Sequence, residues 1–296
     1  MHQYVIVDVF TTVALQGNPL AVFPDAVGIP AERMQLIARE MNLSETTFVL
    51  PARADGDRYV RIFTPINELP FAGHPVLGTA AVLGVSTAVD RLRLETAGGT
   101  IPIDFSHRRE RTVTAAMRQP IPVREPYARQ GDLLDALGLE SSTLPVDAYR
   151  NGPRHVYVGV ESEAALSRLR PDLRALAGHP DMAAICFTRS GDPEEAGDAG
   201  GSEGLEGSGE RWRMRMFSPA YGVSEDAGTG SAAGPLAVHL ARYGLVPFGK
   251  RIEIVQGVEM GRPSQMFARA EGNSRRLDTV EVEGSAVITA RGTLLA

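Results

Sequence analysis

"RIFTPINELPFAGHPVLGTAA" (61–81) and "RMFSPAYGVSEDAGTGSAA" (215–233) are two stretches of this chain that resemble each other. Each begins as a strand-like segment, passes through a loop and ends in small residues typical of a helix start. Aligning the small residues places His74 opposite Asp226. The similarity predicts an internal duplication with two related lobes, and a cleft between two lobes is a favoured ligand site.

The surrounding sequence extends the duplication to the whole chain. Strand-like runs occur in both halves, and each motif leads into an apolar helix, "HPVLGTAAVLG" (74–84) or "TGSAAGPLAVHLARYG" (229–244). A Pro-rich segment at 117–126 separates the halves. We therefore expect an N-terminal lobe over 1–118 and a C-terminal lobe over 119–279, with the last strand, about 280–296, returning to the first lobe. The acidic, glycine-rich stretch 190–210 is expected to be a solvated, disordered loop.

Composition limits the classes of function. The 296 residues carry a formal net charge of −6 and 43% hydrophobic residues, which is typical of a globular protein with a real core. No basic stripe indicates nucleic acid, and no apolar run is long enough to span a membrane. The N-terminus lacks the features of a signal peptide, so we expect a cytoplasmic location.

The repeated motif brings titratable groups to the starts of two helices. The first backbone N–H groups of a helix have no partner within it and carry a partial positive charge, so two such ends facing each other would hold a carboxylate or an enolate-like anion. Glycines such as Gly73 and Gly230 let a ligand approach the backbone closely. His74 and Asp226 would lie at the rim and exchange protons, although each is also a residue that simply caps or packs a helix.

Glu45, in "NLSETTFV" (42–49), is the third candidate for chemistry. It lies where a helix gives way to a strand, and the matching position in the second half is an alanine, Ala184. A single carboxyl group with a raised pKa in a closed cleft can both remove and return a proton. The alternative is a surface carboxylate on a loop.

Other motifs are weaker. "GTGSAAG" (228–234) fits a dinucleotide fingerprint, but no hydrophobic strand precedes it and the acidic pair at 225–226 would repel a pyrophosphate. No Cys/His cluster has metal-binding spacing, so neither a cofactor nor a metal is predicted. His155 is interpreted as a histidine without a role in the site, with the alternative that it reaches the cleft from its turn left open, and His239 is expected to lie on a helix surface.

At these motifs the sequence resembles the PhzF family of phenazine-biosynthesis isomerases, within the diaminopimelate-epimerase-like superfamily. The resemblance is carried by "REMNLSETTFVLP", "RIFTPINELPFAGHPVLGTA", "NGPRHVYVG", "RMFSPAYGVSEDAGTGSAAGPLAVHLARYG" and "QGVEMGRPSQMFA", which span nearly the whole chain. It implies an α+β fold of two pseudo-symmetric lobes, each a barrel-like, mostly antiparallel sheet around a central helix. It also implies a homodimer that uses no cofactor.

The resemblance implies a reaction and a set of site residues. The reaction is isomerisation of trans-2,3-dihydro-3-hydroxyanthranilate to an aminoketone by a proton shift from C3 to C1. The family's catalytic glutamate falls on Glu45, and its histidine and aspartate fall on His74 and Asp226. The positions that line the site and bind the small carboxylate substrate are Ser44, Gly73, Gly230 and Ser231.

Two alternatives stay open, and one is excluded. In the first alternative, the chain is a related isomerase of another small cyclic carboxylate. In the second, it is a non-catalytic member of the fold that binds a carboxylate. Racemases of the superfamily use two thiols, one from each lobe, and this chain has only Cys186, in an apolar strand. The acidic loop at 190–210 is an apparent insertion, and Ser224 and Gly228 replace bulkier residues expected beside Asp226.

Overall fold

The structure is a computed structural model that describes residues 1–85, 87, 89–191 and 210–295. The disorder expected for 190–210 falls almost wholly outside these residues. In chain order the described elements are β1 His2–Val9, β2 Asn18–Phe23, α1 Ala31–Met41, β3 Glu45–Pro51, β4 Arg58–Phe63, β5 Glu68–Leu69, α2 Gly73–Gly84, β6 Arg91–Thr96, β7 Gly99–Arg109, β8 Thr112–Arg118, β9 Val123–Pro126, α3 Gln130–Leu137, β10 Asp147–Arg150, β11 Arg154–Gly159, α4 Glu163–Arg168, α5 Leu173–Ala177, β12 Ala183–Arg189, β13 Arg211–Ser218, β14 Val223–Asp226, α6 Gly230–Arg242, β15 Ile252–Gln256, β16 Ser264–Gly272 and β17 Leu277–Leu294.

The first lobe is a closed barrel around α2. Its strands pair in the order β1, β2, β3, β4, β6, β7, β8 and β17, and β17 pairs again with β1. Nearly every residue of α2 is buried, because the helix lies inside the barrel. The helix fits because it is built from small residues: a Cβ on Gly78 would lie 2.7 Å from side-chain atoms of Leu20 and Val9.

The second lobe repeats this plan around α6. Its strands pair in the order β9, β10, β11, β12, β13, β15, β16 and β17, and α6 is buried from Gly230 to Ala241. His239 belongs to this buried face, so the prediction that it lies on a helix surface was wrong. Its ring packs among aromatic rings in the lobe core, including Tyr157 at 5.5 Å and Tyr243 at 4.9 Å between centroids.

The pairings confirm the duplication strand by strand. The pairs β1–β2, β3–β4 and β6–β7 are antiparallel, and so are their counterparts β10–β11, β12–β13 and β15–β16. The pairs β2–β3 and β4–β6 are parallel, as are β11–β12 and β13–β15. The prediction of two pseudo-symmetric lobes, each a sheet wrapped around a helix, is therefore confirmed.

The register of the duplication differs from the sequence alignment. Phe63 and Phe217 are counterparts, as the strand motifs predicted, because they pair with Thr46 and Ala184 at equivalent places. One residue earlier on these strands, Ile62 and Met216 are counterparts as well. Ile62 pairs with Leu69, and Met216 pairs with Asp226. The counterpart of Asp226 is therefore Leu69 and not His74.

The shift has a local cause. The second-lobe loop is longer, with a 3₁₀ turn at Pro219–Tyr221 and a bulge in the pairing of β13 with β14. An alignment that matches the small residues directly therefore places His74 opposite Asp226, five residues beyond the structural counterpart, Leu69. The predicted counterpart of Glu45 also moves by one residue. Glu45 pairs with Leu20 at the start of its parallel pairing, and Ala183 pairs with His155 at the equivalent place in the second lobe. The counterpart of Glu45 is therefore Ala183 and not Ala184.

The long strand β17 joins the two lobes. Phe267 of β16 pairs with Glu283 near the start of β17, whereas Ile6 of β1 pairs with Ala290 near its end. We propose lobes at 1–118 and 119–279 with 280–296 returning to the first. The pairing of Ile6 with Ala290 supports the return, and residues 280–283 also pair with β16 of the second lobe. None of the helices in the described ranges is both long and apolar enough to cross a membrane.

Candidate active site

A cleft lies between the two lobes. Its walls include first-lobe residues before and at the start of α2 and second-lobe residues before and at the start of α6. The predicted site residues that line it are Ser44, Glu45, Gly73, His74, Asp226, Gly230 and Ser231. The structure thus brings all seven residues that the sequence singled out to the wall of one cleft.

The two central helices begin against each other at the floor of this cleft. A Cβ placed on Gly73 would lie 2.3 Å from the Ser231 amide nitrogen and 2.5 Å from the carbonyl carbon of Gly230. The helix starts meet this closely because both positions are glycine. Two helix N-termini therefore converge on one region, which favours binding of a negatively charged group there.

Glu45 is the first residue of β3, and its side chain faces the cavity. Burial raises the pKa of the Glu45 carboxyl group well above 4.5, and the nearby Asp226 carboxylate raises it further. A carboxyl group with a raised pKa can serve as an acid and, once it has lost the proton, as a base.

His74 is a close titratable neighbour of Glu45. Its Nε2 lies 3.3 Å from Glu45 Oε2, a contact without hydrogen-bond geometry, and neither atom has a hydrogen-bond partner among the described residues. Burial lowers the pKa of His74 to about 4, and the attraction of Asp226 only partly offsets that effect. His74 is therefore a neutral imidazole in the resting cleft.

Asp226, at the end of β14, faces Glu45 and His74 from the second lobe. Its carboxylate accepts hydrogen bonds from Thr229 Oγ1 at 2.6 Å, Asn18 Nδ2 at 2.8 Å and Ser44 Oγ at 3.0 Å. Gln256 donates to the backbone carbonyl of Asp226 at 2.8 Å. The donors come from both lobes, so the carboxylate is a bridge between them.

His155 lines the same cleft, which is the alternative that the sequence left open for it. Its Nε2 lies 3.4 Å from Ser231 Oγ. Burial lowers the pKa of His155 to about 3, and the positive charge of Arg150 lowers it further. His155 therefore presents a neutral ring beside the start of α6.

Sequence reasoning missed a set of buried amide side chains around the helix starts. Asn18 contacts His74 and Asp226, and Gln119 Nε2 donates to the carbonyl of Gly230 at 2.7 Å. Asn151 donates to the carbonyl of Ser231 at 2.9 Å. A lone Asn or Gln in a turn is most often a turn residue, so no local signal distinguishes these positions.

A pair of Arg–Glu forks holds the strands that lead to the cleft. Arg61 and Glu68 form two parallel hydrogen bonds of 2.7 Å each between β4 and β5. At the equivalent place between β13 and β14, Arg215 and Glu225 form two of 2.8 and 2.9 Å. Glu225 immediately precedes Asp226, so the second fork fixes the strand that carries the site carboxylate.

The chemistry of the cleft is that of carboxyl, imidazole and hydroxyl groups. Among the described residues, no group of three or more His, Cys, Asp or Glu side chains is arranged to hold a metal ion. Cys186 lies on β12 in the second-lobe core, fully buried, and it does not line the cleft. A carboxyl group between two helix N-termini is suited to moving a proton on a bound acid.

Comparison with known proteins agrees with this geometry. A family model described as "Phenazine biosynthesis-like protein" matches residues 7–292. Proteins named trans-2,3-dihydro-3-hydroxyanthranilate isomerase are 56% identical over 292 residues in Pseudomonas aeruginosa, covering 99% of both chains, and 56% identical over 295 residues in Pseudomonas chlororaphis, covering 100% of both.

A solved structure gives the same result for the fold. The PhzF-family protein of Bacillus anthracis superimposes with a TM-score of 0.83 at 24% identity, covering 100% of this chain and 99% of its own. That similarity concerns the fold alone. The sequence match is closer, at 56% identity, and it extends from the first strand to the last. The chain therefore belongs to the PhzC-PhzF family of phenazine biosynthesis-like proteins.

Proposed function

We propose that this chain is a cofactor-independent trans-2,3-dihydro-3-hydroxyanthranilate isomerase of phenazine biosynthesis. The observation that carries the proposal is the Glu45 carboxyl group, whose pKa is raised well above 4.5, in a cleft where two helix N-termini converge. The isomerase names of relatives 56% identical over the full chain supply the substrate.

The substrate's structure defines the proton movement. The ring carries a carboxylate on C1, an amino group on C2 and a hydroxyl group on C3, and its double bonds are C1=C6 and C4=C5. Removing the C3 proton delocalises its electron pair over C3, C5 and C1. Returning a proton to C1 leaves an enol at C3=C4, which becomes the ketone when C4 gains the hydroxyl proton. No atom or electron is gained overall, so no cofactor is needed.

In this proposal Glu45 is the base that takes the C3 proton and the acid that returns one at C1. The C1 carboxylate, where negative charge builds up, lies at the starts of α2 and α6, beside Gly73, Gly230 and Ser231. His74, Asp226 and Ser44 hold the amino and hydroxyl groups and assist proton movement. The apolar wall of the cleft, which includes Leu69, Met216 and Val223, packs against the ring.

The test is incubation of purified protein with trans-2,3-dihydro-3-hydroxyanthranilate in D₂O, followed by NMR. Substrate should disappear, and deuterium should enter the product at C1. Glu45→Gln should bind the substrate and lose turnover by about 10²- to 10⁴-fold, the usual contribution of a general acid–base group. Absence of turnover by folded wild-type protein would reject this substrate.

The non-catalytic alternative makes a different prediction. A protein that only binds a carboxylate has no need of a second, buried carboxyl group facing the anion, because burying it without a counter-charge is unfavourable. If Glu45→Gln bound the substrate more tightly and wild type released it unchanged, the binding function would replace the isomerase. A third candidate, an isomerase of another cyclic acid, would show deuterium exchange with that acid only.

We also infer a homodimer and a cytoplasmic location. The dimer is supported by the resemblance of the sequence to the PhzF family, and the location by the high identity to small-molecule isomerases of Pseudomonas. Sedimentation equilibrium that gave the mass of a single 31.7 kDa chain at all concentrations would contradict the dimer. Fractionation of the producing cells tests the location.

A further inference from the structure

Asn18, the first residue of β2, lies between His74 and Asp226 and is almost fully buried. Its side-chain nitrogen is within hydrogen-bond reach of three acceptors: Asp226 Oδ1 at 2.8 Å, the Gly228 carbonyl at 3.0 Å and His74 Nδ1 at 3.2 Å. Asn18 does not line the cavity. It therefore acts on the chemistry through the residues it holds.

The orientation of the Asn18 amide follows from two of these partners. A backbone carbonyl and a carboxylate oxygen only accept hydrogen bonds, so the group facing them must be the NH₂ end. Turning the amide over would place its oxygen against two other oxygens. An amide NH₂ only donates, and its two hydrogens serve three neighbours, so His74 Nδ1 can face it only as an acceptor that shares a hydrogen with one of the two oxygens.

This arrangement decides where His74 carries its proton. With Nδ1 accepting, a neutral imidazole has its hydrogen on Nε2, the atom that lies 3.3 Å from Glu45 Oε2. A proton on Nδ1, in either the other tautomer or the imidazolium, would direct an N–H group at another N–H group.

We propose that Asn18 is a positioning residue that holds His74 in the Nε2–H tautomer. The Nε2 atom of His74, 3.3 Å from Glu45 Oε2, is then a donor and not an acceptor on this side of the ring, and Glu45 is the only base of the pair. The consequence for turnover rests on the proposed function, whereas the tautomer itself does not.

The backbone around Asn18 is held from the other lobe. Gly17, with φ +66°, donates its N–H to the Pro263 carbonyl at 3.1 Å. Arg262 donates to the carbonyls of Gly17 and Gln16 and pairs with Asp8 at 2.7 Å. These contacts tie the turn before Asn18 to the second lobe, so the amide has a defined place relative to both His74 and Asp226.

The first experiment measures the tautomer of His74 directly. Long-range ¹H–¹⁵N NMR of ¹⁵N-histidine-labelled protein distinguishes a protonated from an unprotonated ring nitrogen, and His74→Gln identifies which of the six histidines is His74. We expect a protonated Nε2 and an unprotonated Nδ1 in wild type without substrate. A protonated Nδ1 in wild type would overturn the proposal, whatever the variants do.

The second experiment removes the amide. Asn18→Leu keeps the volume and loses the donor, and Asn18→Ala replaces it if the leucine variant does not fold. We expect a population of the Nδ1–H tautomer to appear and kcat to fall by about 10²-fold, with a much smaller change in KM. An unchanged His74 spectrum in both variants would overturn the proposal.

Asn151→Ala is the matched control. Asn151 lies in the corresponding turn of the second lobe, is equally buried, and donates to Gln119 and to the Ser231 carbonyl without contacting His74. Its loss should leave the His74 spectrum unchanged. If the control altered that spectrum as Asn18→Leu does, the effect would be general loosening of the site, and the proposal would fail. A wild type with the expected tautomer but no turnover would instead reject only the proposed function.

Discussion

Gly73 and Ser231 lie so close across the lobe boundary that a Cβ on Gly73 would stand 2.3 Å from the Ser231 amide nitrogen. The atoms that such a Cβ would meet, on Ser231 and Gly230, belong to the backbone, so they cannot move aside by rotating a side chain. The approach depends on the absence of a side chain at Gly73, and it brings the N-termini of α2 and α6 to the same part of the cleft.

Gly73→Ala should therefore separate the helix starts and lower kcat/KM strongly, by at least about 10²-fold, because small displacements in a site are costly. Gly131→Ala is the control: Gly131 is also helical, in α3, and a Cβ there would meet nothing within 4 Å. We expect that variant to keep full activity and to be more stable by about 1 kcal/mol. Equal activity of the two variants would contradict the role given to the close contact.

Glu45→Gln should raise stability while it removes activity. The folded protein holds the Glu45 proton to a higher pH than the unfolded chain does, because the folded pKa lies well above 4.5. Between these two pKa values the folded state binds more protons, so stability falls as pH rises through that window. Glutamine cannot ionise and escapes this loss.

The measurement is the Tm of both proteins from about pH 4 to about pH 8. The variant should be the more stable at the upper end, and the difference should shrink toward the lower end, where Glu45 is protonated in both states. In wild type, turnover should increase with pH through the raised pKa, because the base must be deprotonated. A Tm difference independent of pH would mean that Glu45 is not the titrating group.

The two Arg–Glu forks should contribute very different amounts to stability. Arg215 is 4% exposed, and it also donates to the carbonyls of Leu166 and Leu169, whereas the fork of Arg61 lies at the surface. We expect Arg215→Ala to lower the free energy of unfolding by about 3–5 kcal/mol, since it strands a partly buried Glu225.

Arg61→Ala is the matched variant from the other lobe, and it should cost about 0–1 kcal/mol. Urea denaturation of both variants measures the difference. Each arginine also lies over the ring of the phenylalanine two residues further on. The distances to the ring centroids are 5.0 Å for Phe63 and 4.9 Å for Phe217, so both variants lose the same cation–π contact. Equal destabilisation would show that burial of the second fork has no effect.

Cys186 should be inert in the folded protein. It is fully buried, and burial raises the pKa of its thiol to about 12. Because the thiolate is the reactive form, a thiol reagent at about pH 8 should label it only after unfolding and should leave turnover unchanged. Stoichiometric labelling of the native protein with loss of activity would contradict both its burial and its absence from the cleft.

Several features of this protein are determined by sequence alone. The duplicated motif predicts two lobes, the single cysteine excludes a two-thiol racemase, and the local patterns around Glu45, His74 and Asp226 select residues that all line one cleft. These inferences succeed because helix starts, strand runs and the chemistry of side chains are properties of short segments.

Other features depend on how distant segments meet. The true partner of Asp226 in the duplication, Leu69, is defined by strand pairing, because small-residue helix starts look alike in several registers. Asn18 reaches Asp226 across 208 residues of chain, and nothing around "QGNP" distinguishes it from an ordinary turn. The pairing of both lobes with one shared strand, β17, brings these groups into hydrogen-bond distance, and only the tertiary structure contains that information.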